Sequence, residues 1–360
     1  MRVVICGAGV VGASVAYFLA RRGVGVTLVE RVRPACAASG KSGGFLALDW
    51  CDGSPQAGLA RASFALHAEL AQTLDADYGY RRMDTFMVAS SDVRDVSHLR
   101  RMSAPDWLDG DCAVAGAIGT PTTTAQVHPR RFTEALVEAA VQSGATLLRG
   151  TVQALTTSAD DSAACGIVVD GNTIEADAIV VAMGPWCMGL AEALSLPAVS
   201  GLKGYSITLR PESPVPAHAL FVDYELENGE QPAPEVVPRP DGEVYICGLS
   251  DDDPVPADPE RVRVDDYKCS ELRRMAGRLS KALSGAAMLS RHACYRPICA
   301  DAMPIIGPTP AVEGVYVATA HNCWGMLNAP GTGLAMSELL IDGRASSIDL
   351  APFDPARLSI

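Results

Sequence analysis

Three glycines and one acid near the start of the chain have the types and spacing to hold a phosphate ester. Gly7-Ala8-Gly9-Val10-Val11-Gly12 is a GxGxxG run, and Glu30 follows it at the end of an apolar stretch. Gly7 permits a tight turn, Gly9 lets a pyrophosphate approach the backbone, and Gly12 lets a helix pack closely on a strand. A carboxylate at Glu30 would accept hydrogen bonds from ribose hydroxyls. The motif alone also describes a glycine-tolerant structural turn, so the elements around it decide.

Those elements form a complete βαβ unit. Residues 2–6 are a β-branched apolar run, as in a buried parallel strand. Residues 13–22 are helical by pattern, Gly23 stops the helix, and 24–29 is a second apolar strand ending in Glu30. A GxGxxG inside such a unit, with its acid, predicts a bound dinucleotide. It does not separate FAD from NAD, which share the ADP half. The helix start supplies free N–H groups and a positive dipole end to the phosphates.

The rest of the chain narrows the field. With 360 residues there is room for two packed units. A net charge of −13 argues against a nucleic-acid partner. No apolar run reaches the length of a membrane span. The first core strand begins at residue 2, so no signal peptide is expected and a cytoplasmic location is. Eleven cysteines, an odd number without a CxxC pair, predict neither a disulfide framework nor a metal site. Gly40-Lys41-Ser42 resembles the end of a phosphate loop, but Ala35 stands where that motif needs glycine. Small residues in this density fit a backbone lying against something flat or bulky.

Further along, periodicity predicts helices over 56–77, from 129, around 272–283 and over 334–341, with 321–333 glycine-rich and loop-like. His67 falls in the first of these and reads as a surface or packing residue. Strands are expected at 85–90, 145–149, 151–156 and 178–182, and a hairpin turns at Asp170-Gly171. Antiparallel strands at 204–210, 219–225 and 243–247 flank a polar, proline-rich stretch at 227–241. No second GxGxxG occurs, which excludes a separate NAD(P)H domain.

Taken together, these stretches resemble the D-amino-acid oxidase superfamily of FAD-dependent oxidoreductases, which includes glycine oxidase, sarcosine oxidase and D-amino-acid dehydrogenase. The matching stretches are the N-terminal unit, 38–44, 179–186, 202–206, 295–307 and 325–333. The resemblance implies an α/β fold. A Rossmann-type FAD domain (1–83, 126–199, 295–360) would interleave with an antiparallel-sheet α+β substrate domain (84–125, 200–294).

The resemblance also assigns roles. Gly7, Gly9, Val10, Val11, Gly12, Glu30 and Arg31 would hold the ADP half of FAD. Ser39, Lys41, Ser42, Gly43 and Gly44 would line the pyrophosphate, ribityl chain and flavin edge. Val152 would meet the adenine, and Ala182, Gly184 and Trp186 the cofactor's other side. Gly325, Met326 and Leu327 would touch the pyrimidine end, with the dipole of a helix near Thr332 behind it. Ala293 stands where sarcosine oxidases carry the attaching cysteine, with Cys294 one place off, so FAD would be held non-covalently.

Three side chains are implied at the chemistry. Arg296 matches a clamp for a substrate carboxylate; otherwise it is a turn arginine paired with Asp301. His321 is either a flavin neighbour or a structural histidine, and Tyr205 either borders the substrate or sits on the sheet's outer face. The implied reaction takes a hydride from a small amino acid or secondary amine to flavin N5, with O2 or another acceptor closing the cycle. The imine product would hydrolyse to an oxo acid. The alternative is a flavoprotein of little turnover that serves assembly or regulation.

Overall fold

A computed structural model describes residues 1–190 and 198–358; the parts of the expected domains at 191–197 and 359–360 lie outside them. The expected βαβ unit is the centre of a six-stranded sheet. Its strands, edge to edge, are Ile305–Pro308, Val315–Thr319, Ala178–Val181, Arg2–Cys6, Gly25–Glu30 and Thr146–Arg149. All neighbours pair in parallel except the first two.

Strand alternation explains why this sheet needs cover on both faces. Val3, Ile5, Val26, Leu28 and Val180 point to one side, against helices Val10–Arg21, Ala57–Thr73, Pro129–Gln142 and Gly325–Asp342. Val4, Cys6, Val29, Ile179 and Val181 point to the other, toward the three-stranded sheet that contains the Asp170-Gly171 hairpin. Asp170 and Gly171 both take positive φ, 46° and 81°, as a two-residue hairpin turn requires.

A seven-stranded sheet forms the second layer: Ala287–Ile298, Ser200–Arg210, Val244–Asp251, Glu235–Pro238, His218–Glu225, Asp84–Ser91 and Ala113–Gly119. It is antiparallel apart from the His218–Glu225 pairing with Asp84–Ser91, which is parallel. One face packs Tyr205, Ile207, Leu209 and Ile246 against Leu272, Met275 and Leu279 of the helix Asp266–Leu279. The strand Ala287–Ile298 crosses position 295, so Arg296 belongs to this sheet.

Two features depart from the sequence reading. The stretch 227–241 contains a strand, Glu235–Pro238, because Val236 and Val237 between two prolines fill a gap in the sheet. Residues 325–333 are helical rather than loop-like, as Gly325–Asp342 is one continuous helix with Pro330 inside it. Among the described residues no helix is long and apolar enough to cross a membrane.

Candidate active site

A cavity of about 750 Å³ runs from the GxGxxG turn to the inner face of the seven-stranded sheet. At its first end the glycines do the work expected of their spacing. A Cβ at Gly12 would stand 2.0 Å from the Gly7 carbonyl oxygen, so only glycine lets this helix close on the strand. Gly7, at φ +102°, abuts the Ala182 carbonyl. Gly9, Val10 and Val11 then form the cavity wall at the helix start. Ser39 Oγ accepts the Val10 N–H at 2.9 Å, tying the second small-residue segment to that helix. Glu30 Oε2 accepts the Ala8 N–H and Oε1 the Val32 N–H, both at 2.9 Å. A carboxylate has lone pairs to spare after that for ribose hydroxyls.

The wall continues through Arg31, Lys41, Ser42, Gly43, Gly44, Val152, Ala182, Gly184 and Trp186. Three of the polar side chains are already held by the protein. Arg31 donates to the Ala257 carbonyl at 2.6 Å, Lys41 to Ala293 at 3.2 Å, and Trp186 to Pro256 at 2.8 Å. Gly44 takes φ +77°, and a Cβ there would collide with the Val127 carbonyl. Ser42 Oγ is buried without a partner among the described residues.

At the far end the helix Gly325–Asp342 begins, and Gly325 and Met326 line the cavity. The helix N-terminus therefore sits at Gly325, and Thr332 is fully buried inside it. Leu327 is in the core and does not reach the cavity. Pro330 has no N–H to give the Met326 carbonyl. His67 fills that vacancy: its Nε2 lies 2.9 Å from the Met326 oxygen and 3.2 Å from that of Leu327. A carbonyl only accepts, so Nε2 carries the proton. Burial holds His67 neutral, pushing its pKa down to about 4. Ser63, on the same helix as His67, accepts the Gly331 N–H at 3.2 Å.

Arg296 and His321 both line this end. Asp301 is taken by Arg357, at 2.8 and 3.2 Å, which removes the turn-pair reading of Arg296. His321 is 2% exposed, and neither ring nitrogen has a partner among the described residues. Burial alone drives its pKa to about 4. Tyr205 is a correction. Its ring lies on the sheet's other face, with Lys203 Nζ and Lys268 Nζ 5.0 and 4.9 Å from its centroid, and its hydroxyl donates to Asp251. Tyr205 borders the cavity, but the strand's period of two turns its ring to the side opposite the one that Gly204 and Ser206 face.

Several lining residues were missing from the sequence reading. Glu235, Tyr245 and Cys247 come from adjacent strands, Phe221 pairs with Glu235 across the sheet, Trp50 comes from a turn and Trp324 from the short 3-10 helix Asn322–Trp324. Glu235 is half-buried because what it exposes opens on the cavity. Burial pushes its carboxyl above the usual range, and Arg296 pulls it back. A Glu-Val-Val run between prolines was the available signal for a strand there.

The chain matches the profile of the DAO family, "FAD dependent oxidoreductase", over residues 2–339. It belongs to that family. A Schizosaccharomyces pombe protein with only the general name of an oxidoreductase is 33% identical, covering 98% of this chain and 97% of its own. The D-amino acid dehydrogenase of Cereibacter sphaeroides is 27% identical, over 98% and 94%. In structure, glycine oxidase from Geobacillus kaustophilus superposes with a TM-score of 0.81 at 27% identity, covering 99% of both chains.

DAO-family members are FAD-dependent, and the cavity of this member fits the cofactor. It is continuous from the glycine turn to the sheet, and it presents buried polar atoms, Ser42 Oγ and both His321 nitrogens, that the protein leaves unpaired among the described residues. Ala293 is buried in the sheet core, while Cys294 lines the cavity. Burial pushes the Cys294 thiol up to about 11, which leaves it protonated and a poor nucleophile near neutral pH.

Proposed function

We propose that this protein oxidises the C–N bond of a small amino acid or secondary amine bearing a carboxylate, with FAD held non-covalently. The observation that carries the reading is Arg296, a cavity-lining guanidinium without an ion-pair partner among the described residues. An unpaired arginine fork in a partly apolar cavity is poised for a bidentate carboxylate contact, which fixes the orientation of the neighbouring Cα–H. FAD, when bound, supplies the two-electron acceptor.

The chain's own residues then bind, orient and exclude water. Gly7, Gly9, Val10, Val11 and Glu30 would hold the ADP half, with Gly12 shaping the turn. Arg31 and Val152 would border the adenosine. Ser39, Lys41, Ser42, Gly43, Gly44, Ala182, Gly184 and Trp186 would line the middle of the cofactor. The start of helix Gly325–Asp342 would favour negative charge at the pyrimidine end. His321, neutral, would give or accept one hydrogen bond there. Phe45, Trp50 and Trp324 would keep the substrate end dry.

Anaerobic titration of the purified holoprotein with a broad panel of D- and L-amino acids and secondary amines tests this. Bleaching of the visible flavin band by at least one of them is expected, and admitting O2 then separates an oxidase from a dehydrogenase. If nothing in the panel bleaches the flavin, the reading falls. Acid precipitation should release FAD into the supernatant; flavin kept in the pellet would point to attachment through Cys294.

A further inference from the structure

The substrate end of the cavity holds a guanidinium, Arg296, and a carboxyl, Glu235, that form no ion pair among the described residues. Of the carboxyl groups on the cavity wall, Glu30 is bound by backbone N–H groups at the adenosine end, which leaves Glu235 alone at the other. Among the described residues Glu235 makes no ion pair, although Arg296 is close enough to act on its ionisation. Arg31 and Lys41 are committed to backbone carbonyls, so among the described residues Arg296 is the only lining cation without such a partner.

Beside Glu235 stands an aromatic wall. Phe221 is its direct cross-strand partner, which places the two side chains about 5 Å apart on one face. The Phe221 ring centroid lies 4.7 Å from that of Trp50 and 5.0 Å from Phe45, both in edge-on contacts. Trp324 meets Trp50 at 6.4 Å, and the Trp50 indole is fixed by donating to the Ile118 carbonyl at 3.2 Å. A carboxylate next to several aromatic faces is the chemistry that receives an organic cation.

We propose that Glu235, Phe221 and Trp50 form a subsite for a second positive charge on the substrate, so that the preferred substrates are amino acids with a cationic side chain. Arg296 takes the carboxylate, and Glu235, on the same cavity wall, takes the distal ammonium. This assignment rests on the amine-oxidation reading for its substrate, but the subsite itself binds a cation whether or not turnover follows.

The test uses the FAD-loaded protein and two probes. The first is pentyltrimethylammonium, a quaternary amine that cannot become an imine by loss of hydride and proton, titrated through the visible flavin spectrum. Wild type should bind it, Glu235→Gln should weaken it about 30-fold, and Trp50→Leu should weaken it several-fold. Arg296→Ala should not weaken it. The second probe is anaerobic flavin reduction by lysine against norleucine, which lacks the terminal ammonium, in the reactive enantiomer. The lysine-to-norleucine ratio should exceed one in wild type and collapse in Glu235→Gln, with bound FAD and melting temperature confirming that each variant is folded.

Quaternary-amine binding that ignores Glu235→Gln, or a lysine ratio unchanged by it, overturns the subsite. A uniform loss for lysine and norleucine together also overturns it, since Glu235 would then act on the reacting amine. Glu235-dependent binding of the quaternary amine without reduction by any amino acid keeps the subsite and removes the oxidation reading.

Discussion

The two ends of the cavity are built on different principles. The adenosine end is made of backbone: glycines whose missing Cβ atoms permit close approach, a helix start, and one acid fixed by two N–H groups. The substrate end is made of side chains from strands far apart in sequence, Phe221, Glu235, Tyr245 and Arg296, brought together by sheet register. A backbone site is local and carries a motif. A side-chain site depends on pairing between distant strands, and its chemistry can change without changing the fold that supports it.

That contrast can be broken by substitution. The largest effect should come from Gly12→Ala, whose methyl would sit 2.0 Å from the Gly7 carbonyl oxygen. The βαβ turn would have to open, and the protein should purify without flavin, as its absorption spectrum would reveal. Retention of wild-type flavin content would mean that the first end is more plastic than the second. Arg296→Ala should be next. It should keep FAD and lose about 100-fold in the rate constant of flavin reduction per substrate concentration for carboxylate substrates. An assembly or regulatory role would survive this change.

Behind the substrate end stands the His67 bridge to the interrupted helix. His67→Ala leaves the Met326 carbonyl without its partner and should cost about 1–3 kcal/mol of stability, read by denaturant unfolding. His67 and His321 share a pH signature. Both are held near 4 in the folded protein against an ordinary 6.5, so the unfolded chain takes up protons first as pH falls. Their contribution to stability is complete above about 6.5 and is lost as pH falls toward 4. A melting-temperature profile should therefore drop across that window, and less steeply in His321→Gln. The smallest effect should be Tyr205→Phe, which loses the hydrogen bond to Asp251 on the face away from the cavity. Stability should fall by about 1 kcal/mol and substrate reduction should change less than about twofold. A large kinetic loss would put Tyr205 back among the site residues.

How far each part was legible follows from the range of the interactions behind it. Gly7, Gly9, Gly12 and Glu30 announce their positions because turn geometry and a helix start act within a few residues. The stretch 227–241 was opaque because Pro232, Pro234, Pro238 and Pro240 mask a strand whose hydrogen bonds come from two neighbours, Val244–Asp251 and His218–Glu225. The helix through 325–333 was hidden for a related reason. Glycines and Pro330 weaken it locally, and Ser63 and His67 from another helix supply what its backbone lacks.

By itself, then, the sequence determined the family, the α/β architecture and the cradle for the ADP half, because those depend on local backbone chemistry. Only the tertiary structure decided that Arg296 is free of Asp301, that Tyr205 faces away, and that Glu235 stands among aromatic rings beside the clamp. Each of these turns on which strand neighbours which and on which side of a sheet a residue falls. A shift of one residue in register would exchange the two faces, and no local pattern in the chain records that choice.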